Sequence, residues 1–382
     1  MNIFIFFTFL TFSLAAKELK IYKFNVGGGD SQLIVFPSGY SILIDAGEPT
    51  GAKGEAGING KYLEKRIQSI LKKKYIDVFV LTHFHWDHSG GYKVGGIWYL
   101  IEKAGFSFVK FIHRNIGKYQ GAKLTDCNKN TITWKYVGTM SEKGAQFVCY
   151  ATSSVEKTKL SQIGQIAKRC STTQINPPDE NSQVKIIIRD ALGLKDSNGK
   201  KLARNSMNEK VRVGENDFSI CLRIKFGKFV YATCGDLSGK NKHSSNGNFN
   251  FHDVESSVAP MIGEVDVMHI NHHGTTSATN KKWCDTLKPT VAVSSCGDDG
   301  YGIHKNGLKN LKNVGAKIYT TGLAKESKNK SDYKGVVRMN DDVVITVPVN
   351  GKKFTVSNSV GKKMKSFEIK QKKVKAEKCK GL

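Results

Sequence analysis

Apolar, β-branched runs recur along the chain in short blocks: LKIYKFNV, SQLIVF, SILIDAG, DVFVLT, QVKIIIR, FSICLRIKF, KFVYATCGD, VDVMHI and TVAVSS. Several are continuous rather than alternating, which is the pattern of strands covered on both faces. Segments with helical spacing fall between them, NGKYLEKRIQSILKKK and GIWYLIEKAG among them. Strands interleaved with helices predict an α/β or α+β domain whose sheets are covered by helices. There is no internal repeat. The stretch from about 117 to 204 is more polar and less periodic, and reads as an insertion or elaboration of that domain.

The two ends differ from the middle. An apolar stretch runs from Ile3 to Leu14, and small residues at Ala15 and Ala16 precede Lys17. It is short for a membrane span and has the length of a secretory signal with a small-residue cleavage site. Residues 1–16 are therefore expected to be a signal peptide, and the mature chain to be secreted without stable insertion in a membrane. Residues 17–349 are expected to form the domain. The last 22 residues carry nine lysines against two glutamates, so 350–382 reads as a basic, solvated tail.

Composition adds one constraint on partners. With 59 Lys and Arg against 33 Asp and Glu, the 382-residue chain has a formal charge of +26. That says nothing about fold, but it attracts polyanions over long range. The eight cysteines form no Cys-x-x-Cys pair, which argues against a thiolate zinc site. An even count in a secreted chain suggests disulfides of unspecified connectivity. Cys234 and Cys296 are expected to be structural, as buried thiols or a disulfide.

Candidate chemistry is concentrated in LTHFHWDHSGG, Leu81 to Gly91. His83, His85, Asp87 and His88 follow a run that reads as a buried strand, and a loop at a strand end can aim several side chains at one point. Imidazoles mixed with carboxylate suit zinc, whereas a harder ion such as magnesium prefers oxygen. One loop cannot complete two metal spheres. Further ligands are available at Asp236, after the run KFVYATCGD, and at His272 and His273, after VDVMHI. A carboxylate at Asp236 is placed to bridge two ions.

LTHFHWDHSGG resembles the His-x-His-x-Asp-His motif of the metallo-β-lactamase superfamily. FNVGGGDSQLI, SILIDAG, CGDL and HHGTTS are similar to the branch that holds the competence-protein (ComEC-type) hydrolase domain and phosphorylcholine esterase. SSCGDDGYGIHKN is similar to the late loop of that branch, with Ile303 inserted between Gly302 and His304. The resemblance runs from about Lys20 to Ala324. It implies an α+β fold, a four-layer αββα sandwich, and two zinc ions per chain. By the same resemblance His83 and His85 hold a first zinc, and Asp87 and His88 a second. Asp236 bridges, and His273 rather than His272 completes the second sphere. Asn216 stands where most members carry a histidine, which implies a weaker first site. Asp30 and Asp45 correspond to acidic positions that orient the ligands or meet substrate.

This pattern implies metal-assisted hydrolysis, with Asp87 orienting the attacking group and His304 protonating a leaving group or bonding a substrate oxygen. The resemblance and the charge together favour a phosphodiester on an anionic substrate, such as extracellular nucleic acid or a phosphodiester-bearing polymer. Two alternatives stand beside it. One is a carboxylic-ester or lactone hydrolase on the same fold. The other is a binder of polyanions without turnover.

Overall fold

The computed structural model describes residues 18–48, 58–116, 118–119, 123–133, 142–188, 214–241, 251–296, 302–322, 331–373 and 375–377. The expected signal segment, 1–16, lies outside them. The strands, in chain order, begin with β1 Glu18–Lys23, β2 Ser31–Val35, β3 Ser41–Ala46, β4 Tyr75–Val80 and β5 Ser107–His113. They continue as β6 Lys118–Tyr119, β7 Ile132–Thr133, β8 Gly164–Ile166, β9 Ser182–Ile187, β10 Cys221–Phe226 and β11 Phe229–Thr233. The last are β12 Val267–His269, β13 Val291–Ser294, β14 Lys317–Thr320, β15 Val336–Arg338, β16 Val343–Pro348, β17 Lys353–Asn358 and β18 Lys365–Glu368. The helices are α1 Ile58–Leu71, α2 Trp86–Ser89, α3 Gly96–Glu102, α4 Glu142–Thr152, α5 Glu255–Ile262, α6 Lys281–Leu287 and α7 Lys305–Asn313.

Two large sheets carry the fold. One has nine strands in the order β18-β17-β16-β1-β2-β3-β4-β5-β8, the other seven in the order β15-β14-β13-β12-β11-β10-β9. Strands β6 and β7 form a separate ribbon. The apolar residues sort into three buried layers. The central layer brings Ile21, Ile44 and Val80 of the first sheet against Leu222, Tyr231 and Val293 of the second. The outer face of the first sheet packs Leu43 and Phe79 against Leu63 of α1, Leu100 of α3 and Phe147 of α4. The outer face of the second packs Ala232 and Met268 against Val258 of α5, Trp283 of α6 and Leu308 of α7. This is a four-layer αββα sandwich. Strands with both faces covered are continuous apolar runs because neither face meets water, and β3 is accordingly buried at every position.

The described residues of the polar stretch 117–204 contribute to this core. Its β8 extends the first sheet beside β5 and its β9 pairs with β10 in the second, as the apolar run QVKIIIR would suggest. A disulfide between Cys127 and Cys149 ties α4 to the preceding loop. A second disulfide, Cys221–Cys234, links β10 to the end of β11, while Cys284 and Cys296 are buried thiols.

The larger correction concerns 350–382. Residues 353–368 are no solvated tail: β17 pairs with β16, and β18 with β17, as the outer strands of the nine-stranded sheet. Lysines and small polar residues are interspersed with the apolar ones here, which hides the alternation. Phe354 and Val356 point inward and are fully buried, alternating with the less buried Lys353 and Thr355. The chain then crosses to the second sheet, where the Lys370 and Lys373 amides donate to Asp266 and Glu264.

Candidate metal centre

The sandwich brings four loops and the end of β3 to one end of its two sheets. The β4 strand delivers Leu81 to His88. The β11 strand ends at Asp236, and β12 leads into Asn271 to Gly274. Asp30 sits in the β1–β2 turn, and Asp45 lies in β3. The loops approach each other closely. A side chain at Gly47 would lie 1.7 Å from the Asp87 carbonyl oxygen, so glycine is required there for the ligand loop to pass. Asp30 fixes the same crossing by donating its amide to the Asp87 carbonyl, at 2.8 Å.

The residues converge in two groups that share Asp236. In one, ligand atoms of Asp87, His88, Asp236 and His273 lie within 4.8 Å of one another; in the other, those of His83, His85 and Asp236 do so. His88 Nε2 faces Asp236 Oδ1 at 3.0 Å, and His273 Nε2 faces Asp87 Oδ2 at 3.1 Å. His83 Nε2 and His85 Nδ1 stand 3.0 Å apart. His88 Nε2 and Asp236 Oδ1 are buried and make no hydrogen bond despite their proximity. Buried polar atoms left in that condition are costly unless another partner meets them. A cation between them is such a partner, and the imidazole–carboxylate donor set suits zinc. The residues fit the ion.

Asp45 holds the arrangement from behind. Its carboxylate accepts from the Thr82 amide and hydroxyl, each at 2.8 Å, and meets His88 Nδ1 at 2.8 Å. That contact fixes which His88 nitrogen faces the centre. Burial would lower the His88 pKa, but Asp236 and Asp45 outweigh it and raise it well above the ordinary histidine value. Burial would likewise raise Asp236, yet His88, His273 and His272 hold it well below the usual carboxylate range. Burial lowers His83 strongly and takes His272 to about 4. Ionised Asp236 and neutral His83 and His272 are in the forms that bind metal, and the proton that Asp236 and Asp45 hold on His88 is the one an ion would displace.

Both members of the histidine pair reach the centre, in different ways. His273 joins Asp87 and Asp236, as the resemblance implies. His272 stands 3.8 Å from Asp236 Oδ2, between the Asn216 amide at 3.2 Å and the Ser277 hydroxyl at 2.9 Å. Asn216 therefore lies beside His272, with its Oδ1 buried and unbonded. His272 and His273 both have positive φ, 48° and 52°. Two consecutive side-chain-bearing residues in the left-handed region cost roughly 1–3 kcal/mol each, strain typical of a functional loop.

His304 is brought beside this loop without joining either group. Its amide donates to the Gly274 carbonyl at 2.7 Å, and its ring caps α7 by accepting from the Asn306 amide. Asp30, expected to orient a ligand, instead forms an ion pair with the buried Lys23 and meets His269 Nε2 at 3.0 Å.

Two buried supports escaped the sequence reading. Glu215 forms an ion pair with Arg114 and accepts from the Phe84 amide at 2.9 Å, which fixes the chain between His83 and His85. The Arg114 guanidinium lies over the Phe84 and Phe218 rings. Glu255 accepts from the Asn271 side chain and from the Thr279 and Asn280 amides, at 2.8 to 2.9 Å. It thereby clasps both ends of the loop that carries His272 and His273. No motif marks Glu255, and Glu215 is marked only by its adjacency to Asn216.

Burial raises the Glu255 pKa from 4.5 to about 7. The unfolded chain loses this proton at lower pH than the folded one, so stability falls as pH rises between those two values. Measured against Glu255→Gln, wild-type stability should drop by up to about 3 kcal/mol from pH 4.5 to pH 7. Denaturant unfolding of both chains across that interval checks it, and a constant difference would contradict the assignment.

Comparison with known proteins places this centre. The family model described as "Metallo-beta-lactamase superfamily" matches residues 25–94, the span that holds Asp30, Asp45 and the histidine-rich loop. No curated protein matches the sequence. Among solved structures, the chain is similar to the metallo-β-lactamase fold protein YhfI from Bacillus subtilis, at 12% identity and TM-score 0.38, covering 84% of this chain and 94% of that one. It is also similar to a diphosphatase of the PhnP family, at 11% identity and TM-score 0.37, covering 87% and 98%. A third likeness is to a metal-dependent hydrolase of the β-lactamase superfamily, at 12% identity and TM-score 0.41, covering 79% and 95%. The family match falls on the residues that converge at the centre, so over residues 25–94 the chain is similar to the metallo-β-lactamase superfamily.

Proposed function

We propose that the chain is a secreted, zinc-dependent phosphodiesterase that holds two ions and acts on an anionic substrate, extracellular nucleic acid or a phosphodiester-bearing polymer. The observation that carries this reading is the pair of ligand groups joined through Asp236. His83, His85 and Asp236 would hold one zinc, and Asp87, His88, Asp236 and His273 the other. Zinc there supplies Lewis-acid polarisation and lowers the pKa of an attacking water toward 7. The chain's own residues do the rest. Asp45 and Glu215 fix the ligand loop, and Glu255 fixes the loop of His272 and His273. Asp87, held ionised by His273 and His88 against the effect of burial, is placed to accept a proton from the attacking group. His272 and Asn216 border the first group and are placed to bond a substrate oxygen.

The charge of +26 supports a polyanionic substrate. Disulfides at Cys127–Cys149 and Cys221–Cys234 support an oxidising compartment, consistent with the apolar amino-terminal stretch. No described helix is long and apolar enough to cross a membrane.

The test is hydrolysis of a small phosphodiester and of DNA by the zinc-loaded chain, with a chelated sample alongside. Turnover on the diester should vanish on chelation and return with zinc. Cleavage of DNA in the same assay selects nucleic acid as the polymer. A folded, zinc-loaded chain that hydrolyses a lactone and no diester would overturn the phosphodiester reading.

A further inference from the structure

Besides the two groups joined through Asp236, a third grouping has metal-like spacing: Asp30, Asp45 and His88, all buried. A cation already stands against it. On β1 the side chains alternate, and Leu19, Ile21 and Lys23 are the inward-facing set. Lys23 thus occupies a core position and is fully buried. Its ammonium pairs with one Asp30 oxygen and lies 3.0 Å from His269 Nε2. His269 Nε2 is in turn 3.0 Å from the other Asp30 oxygen. Burial pulls the Lys23 amine well below its ordinary value, and the charges of Asp45 and Asp236 oppose that pull. Two carboxylates withdrawn from water need a positive partner close by. An ammonium is a compact point charge that can serve as that partner.

We propose that Lys23 is a resident cation: its ammonium neutralises the Asp30–Asp45–His88 grouping in place of a third metal ion, and so limits the centre to two. The arrangement leaves Asp45 to orient His88 and ties Asp30, through its amide on the Asp87 carbonyl, to the ligand loop. The inference rests on the metal-centre reading above.

The test counts ions. The full chain, Lys23→Met and Lys23→Met/Asp30→Asn are dialysed to equilibrium against zinc chloride, and zinc per chain is measured by atomic emission. Wild type should hold two ions, Lys23→Met three, and the double variant two again. Thermal unfolding with increasing zinc gives a second readout. The Lys23→Met midpoint should rise more steeply with zinc than that of wild type, and the double variant should return to the wild-type response. This readout applies even if Lys23→Met folds only when zinc is present. Two ions in both wild type and Lys23→Met, with the same zinc response, would overturn the role of Lys23 alone. Failure of Lys23→Met to fold at any zinc concentration would also overturn it, since no ion could then replace the ammonium. Absence of zinc from folded wild type would overturn the metal centre itself.

Discussion

Asp236→Asn is expected to lower turnover on a small diester by at least about three orders of magnitude, roughly 4 kcal/mol of barrier, in a chain that stays folded. Asp236 is the one residue common to both ligand groups, so its neutralisation weakens both at once. His85→Ala touches only the first group. The two variants should therefore differ in metal content as well as in rate: His85→Ala keeps the ion of the second group, whereas Asp236→Asn keeps neither tightly. Asparagine preserves the shape of the side chain, and the Asp236 amide remains bonded to the Ser219 hydroxyl at 3.1 Å, so the loop should hold. Steady-state kinetics with metal analysis and a thermal midpoint check this. A folded Asp236→Asn chain with near-wild-type turnover would refute the assignment of the centre.

Truncation after Val349 is expected to prevent folding altogether. It removes β17 and β18, and with them the buried Phe354 and Val356. Loss of a buried phenylalanine side chain alone costs about 3–5 kcal/mol, against a total stability of about 5–15 kcal/mol for an ordinary domain. The cut also uncovers β16, whose Ile345 and Val347 face the central layer. The expected result is insoluble protein, or a chain with no cooperative thermal transition. A soluble truncated chain with a wild-type midpoint would mean that these strands are dispensable.

The contrast between the centre and the carboxyl terminus shows what the sequence discloses. His83, His85, Asp87 and His88 are legible because a metal needs several donors from one short loop, and that need leaves a local pattern. Asp236 and the paired histidines are legible because each follows a strong apolar run. The strands at 353–368 were hidden because lysines on an exposed face look like those of a tail, and two buried residues, Phe354 and Val356, give little periodic signal. Lys23 is a different case. It sits in an alternating strand beside Leu19 and Ile21, but a lysine at an inward position is so costly that the pattern alone reads it as solvent-facing. Its partners Asp30 and His269 come from other segments, His269 from 246 positions away. The Glu215 and Glu255 supports are equally non-local, and only the fold brings them to the loops they hold.

The outer strands bear on how the protein behaves in company. The nine-stranded sheet ends in β8 on one side and β18 on the other, and these are only three and four residues long. An open sheet edge is a template on which another chain can add a strand, and short, charged edges discourage it. β18 carries Lys365 and Glu368 on an exposed edge, and Lys362 and Lys363 precede it. Part of the positive charge is thus placed where it would discourage copies of this sheet from joining through the β18 edge, a task unrelated to substrate.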